Sequence, residues 1–216
     1  MRHLIFGNKY ILNNSLFINN VAQTVTMNGI VTRTTDHKGG NTAIQFGSGN
    51  FVSMNNLPAS TVWSFSFWIK TNTATTANIL FELGNAYNLG NSFLMVYNTS
   101  GWANSLSNKV SARMMLNSEK ISFNNISIND NIWRHFVIIL DTTQPNTNEI
   151  KIYVNKILNF TNTATNGENS LSFRSDKIYI GGRSTSYGNP LIGAMSPIKM
   201  FNYALTQTEI DNLYNE

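Results

Sequence analysis

Three features of this sequence predict an all-β fold, a two-sheet antiparallel jelly-roll sandwich with one short C-terminal helix. The first is the stretch from Trp63 to Lys70, where Trp63, Phe65, Phe67 and Ile69 alternate with Ser64, Ser66, Trp68 and Lys70. That is the two-residue period of a strand with two unlike faces. The second is the recurrence of more than ten short apolar runs between Asn-, Gly- and Pro-bearing turns, the spacing of a sandwich. The third is Thr206-Gln207-Thr208-Glu209, a capping box with Thr206 as N-cap and Leu205 and Ile210 at the staple positions. A chain of 216 residues suits one large β domain, residues 1–216, with 1–39 supplying N-terminal strands of the same sandwich.

In order, residues 1–40 read as short strands at 4–6, 16–18 and 21–27. Asn28-Gly29 accepts the positive φ of a type I′ turn and predicts a hairpin between 25–27 and 30–32. A second hairpin is predicted for 42–46 and 50–54 around Gly47-Ser48-Gly49. Pro58 interrupts pairing before the 63–70 strand. Strands follow at 78–83, 92–97, 109–116 and 120–123. Residues 132–141 are apolar on both faces, as in a central strand covered on each side, and pair with 150–154. The last strands span 177–182 and 191–201, joined through Gly188-Asn189-Pro190. Ile210, Leu213 and Tyr214 give the helix one apolar face, which is expected to dock on the sandwich. By pattern Trp63, Trp68 and Trp133 belong to the core.

Composition narrows the partners. The formal charge is +4, but only 12% of residues are charged and the 15 Lys and Arg are spread out. Nothing resembles a nucleic-acid footprint, so no such partner is expected. Asn makes up about one residue in six, with many Thr and Ser beside it. There is no cysteine, which removes disulfides and thiolate metal sites. The apolar run in residues 1–9 is too short for a signal peptide and no later segment approaches a spanning helix. The sequons at Asn13, Asn98, Asn125 and Asn159 are what this composition yields by chance.

Chemistry-bearing residues are few. His135, beside Arg134 in a strand, reads as a hydrogen-bonded structural histidine. His37, in Asp36-His37-Lys38-Gly39-Gly40, reads as part of a solvated loop, and His3 is terminal. No Ser, His and Asp spacing or phosphate-binding loop stands out. Trp102 lies in a Gly/Ser/Asn-rich loop, and aromatic faces in such loops stack on sugars or on a partner's surface. Tyr87, Tyr187 and Asn189 lie in comparable loops and complete the candidate ligand contacts.

Four segments resemble the concanavalin A-like, laminin-G-like jelly-roll superfamily over about residues 40–216. Ala43 through Val52 is similar to its "ALxFDGxxDYV" opening, and Phe65-Ser66-Phe67-Trp68-Ile69-Lys70 to its "FSISFWVK" strand. Trp133-Arg134-His135-Phe136-Val137 with Ile152-Tyr153-Val154-Asn155 resembles "WHHVAVTYD…LYVNG". Ile178-Tyr179-Ile180-Gly181-Gly182 with Phe201-Asn202-Tyr203-Ala204-Leu205-Thr206 resembles "LYIGG…GxIDEVRIYNRALS". The resemblance implies the sandwich and, for many members, carbohydrate binding. Its acidic positions are not matched: Gly193-Ala194-Met195-Ser196 and Gly47-Ser48 carry no carboxylate, so the expectation is no cofactor, with calcium, the family's ion, as the alternative. Its Asn-Gly turn is Asn155-Lys156 here.

Some members are retaining glycoside hydrolases with two close carboxylates. Glu82, Glu119, Glu149, Glu168 and Glu209 are isolated in this sequence, and none begins an E-x-D-x-x-E pattern. The first expectation is therefore a non-enzymatic structural or adhesive module, associated with a virion as a capsid decoration, fibre or tail protein. Its partners would be other virion or surface proteins, glycans, or copies of itself through exposed sheet edges. The alternative is a carbohydrate-binding, lectin-like module, and a glycoside hydrolase comes third.

Overall fold

The computed structural model describes residues 5–6, 9–10, 16–72, 77–84, 92–98, 109–115, 119–123, 126–145, 148–161, 173, 177–183 and 190–216. Its first strands are β1 (Ile5–Phe6), β2 (Lys9–Tyr10), β3 (Leu16–Ile18), β4 (Val21–Ala22), β5 (Thr26–Asn28) and β6 (Thr32–Thr34). β7 (Ala43–Phe46), β8 (Phe51–Asn55), β9 (Val62–Lys70), β10 (Ala77–Leu83), β11 (Ser92–Asn98), β12 (Lys109–Met115) and β13 (Glu119–Phe123) follow. Then come β14 (Arg134–Asp141), β15 (Ile150–Val154), β16 (Ile157–Thr161), β17 (Lys177–Ile180), β18 (Gly193–Met195), β19 (Ile198–Phe201) and the helix α1 (Gln207–Asn215).

Two mainly antiparallel sheets stack as a sandwich. One has seven strands in the order β13-β12-β11-β10-β17-β8-β5. The other has ten, with the path β16-β15-β14-β9-β18-β7-β6, and β19, β3 and β4 joined to it through β9. Strands from residues 16–34 are thus woven into both layers.

The alternation of β9 decides what fills the gap between the layers. Trp63, Phe65, Phe67 and Ile69 are all buried there, opposite Leu80, Phe81 and Leu83 of β10 and beside Phe136, Ile138 and Leu140 of β14. Phe65 and Phe67 approach Phe81 with ring centroids 4.7 and 5.8 Å apart. Each such side chain contributes about 1.5–3 kcal/mol by leaving water. The opposite face of β14 carries Val137 and Ile139, which pack with Phe201, Leu205, Ile210 and Leu213 under α1. β14 is therefore covered on both sides, as its sequence predicts. The capping box of Thr206 and Glu209 is formed, which starts the helix where it meets the sheet.

Several expectations are corrected. Asn28-Gly29 does not close a hairpin: β5 pairs with β8 in the seven-stranded sheet, whereas β6 pairs with β7 in the ten-stranded one. Gly47-Ser48-Gly49 likewise carries the chain from one layer to the other. The two crossings lie side by side, with Asn50 Nδ2 donating to the Ile30 carbonyl at 2.5 Å. A turn dipeptide permits a reversal without choosing the partner strand. Here burial of Met27 and Val52 in one layer and Ile44 and Phe46 in the other makes the choice. The segment 21–27 divides into β4 and β5, and 191–201 into β18 and β19 with a break at Ser196-Pro197. At the β15–β16 turn Asn155 and Lys156 both take positive φ, 47° and 64°; for Lys156 that costs about 1 kcal/mol.

Candidate functional site

A recess of about 290 Å3 opens on the outer face of the ten-stranded sheet, against the C-terminal end of α1. Its floor follows from the register of β9 and β14. Trp68 and His135 are cross-strand partners, so they share the face that carries Ser66. The break between β18 and β19 makes the opening beside them. Trp68 N donates to Ser196 Oγ and Ser196 N donates to the Trp68 carbonyl, both at 2.8 Å, while Pro197 lines the cavity.

One wall is the loop between β6 and β7. Asp36 ties this loop into a tight turn: its carboxylate accepts from Lys38 N and Gly40 N at 2.9 Å and from Thr42 Oγ1 at 2.5 Å. Burial raises the Asp36 pKa, but hydrogen bonds from the side chain of Thr42 and from the backbone of Lys38, Gly40 and Thr42 together bring it below the usual carboxylate value. Gly40 is required here, because a Cβ would lie 2.7 Å from Asp36 Oδ2. The turn lays the His37 ring flat on Trp68, with centroids 4.0 Å apart and planes 11° from parallel. Lys38 Nζ donates to the Asn215 carbonyl at 2.7 Å, which fastens the loop to the helix end.

The helix supplies the other wall. Tyr214 lies 5.2 Å from Trp68 and 5.8 Å edge-on from His135, with Lys156 Nζ 5.1 Å from its own ring. Leu213 and Glu216 line the cavity, and Glu216 pairs with Lys199 of β19. Arg33 of β6 completes the lining, its Nη1 donating to the Thr42 carbonyl.

The polar groups at the floor are incompletely used. His135 is 1% exposed, and its Nε2 lies 2.9 Å from Ser66 Oγ, within hydrogen-bond distance. Its Nδ1 is buried without a partner, as are both ring nitrogens of His37 and Nε of Arg33. Burial, helped by the charges of His37 and Lys199, pushes the His135 pKa down to about 4. His37 is lowered too, chiefly by burial, with Lys38 reinforcing and Asp36 opposing.

The structure reorders the residues singled out from the sequence. His135 is the hydrogen-bonded histidine expected, whereas His37 is not a solvated loop residue but a stacking lid on Trp68. Trp63 is core. Trp68 is not, since it belongs to the serine-bearing face, as the alternation of 63–70 already implied. Trp133 is also outside the core: half-buried at the sheet end, it has Lys70 Nζ 5.2 Å from its ring. Tyr87, Trp102, Tyr187 and Asn189 lie outside the described residues. The strand ends flanking them are described. Asn98 pairs with Ala77 and Pro190 bridges to Ile79, at one end of the seven-stranded sheet. Leu83 pairs with Phe93 at the other end. Among the described residues no group of three or more His, Cys, Asp or Glu side chains could hold a metal ion.

Two-layer jelly-roll architecture with the motif order described above is mirrored in known proteins. The profile of the concanavalin A-like lectin/glucanases superfamily, Laminin_G_3, matches residues 38–211. The chain belongs to this superfamily. No curated protein sequence matches it. Among solved structures it is similar to domain 4 of AbnA, a GH43 extracellular arabinanase from Geobacillus stearothermophilus in complex with arabinotriose. That match has a TM-score of 0.69 and 17% identity, and covers 90% of this chain and 89% of the other. The Ruminococcus gnavus IT-sialidase CBM40 bound to α2,3-sialyllactose matches with a TM-score of 0.58 and 15% identity, covering 80% and 96%. A heptameric SAP-like pentraxin from Limulus polyphemus gives 0.58 and 15%, covering 87% and 81%. At these identities the likeness is one of fold. Among the described residues no helix is long and apolar enough to cross a membrane.

Proposed function

We propose that the chain is a non-catalytic, lectin-like module that binds carbohydrate, with the recess under α1 as one contact site. The observation that carries this reading is the recess itself. It sets the aromatic wall of Trp68 and His37 beside the hydroxyls of Ser66 and Thr42 and the N–H groups of Arg33 and Lys199. A sugar ring needs that mixture, an apolar face against an aromatic and hydroxyls against fixed donors and acceptors. Membership of a lectin and glucanase superfamily supports the same class, and two of the similar structures are of domains holding oligosaccharides.

The recess does not favour hydrolysis. Among the described residues that line it, the one acidic side chain, Glu216, is held by Lys199, while a retaining glycosidase places two catalytic carboxylates about 5 Å apart. Ser66 and His135 form a hydrogen-bonded pair, but no acid orients His135 Nδ1 as a nucleophile's base requires. The reading as a virion component rests on composition, the short N-terminal apolar run and a fold that many unrelated functions share, and nothing in the recess favours it.

A glycan array with wild type, Trp68→Ala and Trp102→Ala tests the proposal. Wild type is expected to bind at least one glycan class, and Trp68→Ala to bind it at least tenfold more weakly. Loss confined to Trp102→Ala would move the site to the segments carrying Trp102, Tyr87, Tyr187 and Asn189. Wild-type protein that binds no glycan would sink the reading.

A further inference from the structure

Arg33 is the unusual cation of the recess. Half-buried in β6, it gives one N–H to the Thr42 carbonyl, and its buried Nε has no partner. The nearest acid in sequence, Asp36, is already committed to Lys38 N, Gly40 N and Thr42 Oγ1. The contrast with Arg134 is direct: that guanidinium is held by both carboxylate oxygens of Asp130 at 2.5 Å. Of the charged side chains described around the recess, Lys199 is paired with Glu216 while Arg33 has no ion pair. An N–H withdrawn from water without a partner is costly. What relieves it best is a planar anion that takes two parallel N–H bonds from the fork.

We propose that the recess selects saccharides bearing a carboxylate, with Arg33 as the group that binds the acid and the Trp68 and His37 wall as the surface that meets the sugar ring. The proposal rests on the glycan-binding reading for the sugar, while its anion half stands on Arg33. Lys199 cannot take that role as readily, because Glu216 already neutralises it.

The test follows the Arg33 Nε–Hε signal in proton–nitrogen correlation spectra of the full chain. Glucuronate, galacturonate and N-acetylneuraminate are titrated against glucose, galactose and acetate. At least one acidic sugar is expected to shift this signal and to bind at least tenfold more tightly than the neutral sugars and acetate. Arg33→Met, with its fold checked by the remaining amide signals, is expected to lose that preference.

Acidic and neutral sugars binding alike, or a preference that survives Arg33→Met, would overturn the assignment. Acetate shifting the signal as tightly as the acidic sugars would overturn the saccharide half. The glycan reading fails separately, when no glycan of any charge binds on the array. An acid sugar that still shifts Arg33 in that case keeps the anion site.

Discussion

At the scale of single residues, His135 ties the site to the stability of the fold. It is buried against Ser66, Trp68 and Tyr214, and burial first, then repulsion from a protonated His37 and from Lys199, favours the neutral ring. An unfolded histidine titrates near pH 6.5, whereas folded His135 titrates at about 4. Between those values the unfolded chain binds more protons, so stability is full above pH 6.5 and is lost progressively as pH falls to about 4. The loss is on the order of 3 kcal/mol from this group, and His37 adds to it in the same direction. Urea denaturation of wild type and His135→Gln at several pH values between 4.5 and 7.5 reads this. The variant is expected to show a clearly flatter pH dependence, and equal slopes would mean that His135 is not held neutral.

Among the elements, the turns are where the layers are decided, and two glycines with the same backbone sign separate packing from conformation. Gly49 has φ 77° with open space where a Cβ would stand, whereas Gly181 has φ 75° with the Phe46 ring 2.2 Å from that point. Gly49→Ala is expected to cost about 1 kcal/mol, the left-handed strain alone. Gly181→Ala adds the overpacking of a ring in the core, a further 1–3 kcal/mol or so. Chemical denaturation of the pair measures the difference, and equal losses would contradict the close approach of Phe46 to β17's end. The same turns explain the misread hairpins, because Asn28-Gly29 and Gly47-Ser48-Gly49 carry turn chemistry without naming a partner. By contrast α1 was fully legible: cap, staple and apolar face are all local.

For the whole molecule, the lectin-like reading proposed above predicts binding without turnover. Oligosaccharides that bind the chain are expected to be recovered intact after long incubation, as judged by mass spectrometry of the supernatant. Release of shortened products would overturn the non-catalytic reading. What the sequence alone determined is the sandwich, its buried stripe of Trp63, Phe65 and Phe67, the doubly covered strand and the closing helix, because these depend on short-range periodicity. Only the tertiary structure decided that His37 lies on Trp68, that Ser196-Pro197 opens the sheet beside it and that Arg33 Nε is buried without a partner among the described residues. Those residues come from β6, β9, β14, the β18–β19 break and the loop before β7, elements far apart in the chain. Strand register and layer crossing bring them together, and neither leaves a local mark in the order of residues.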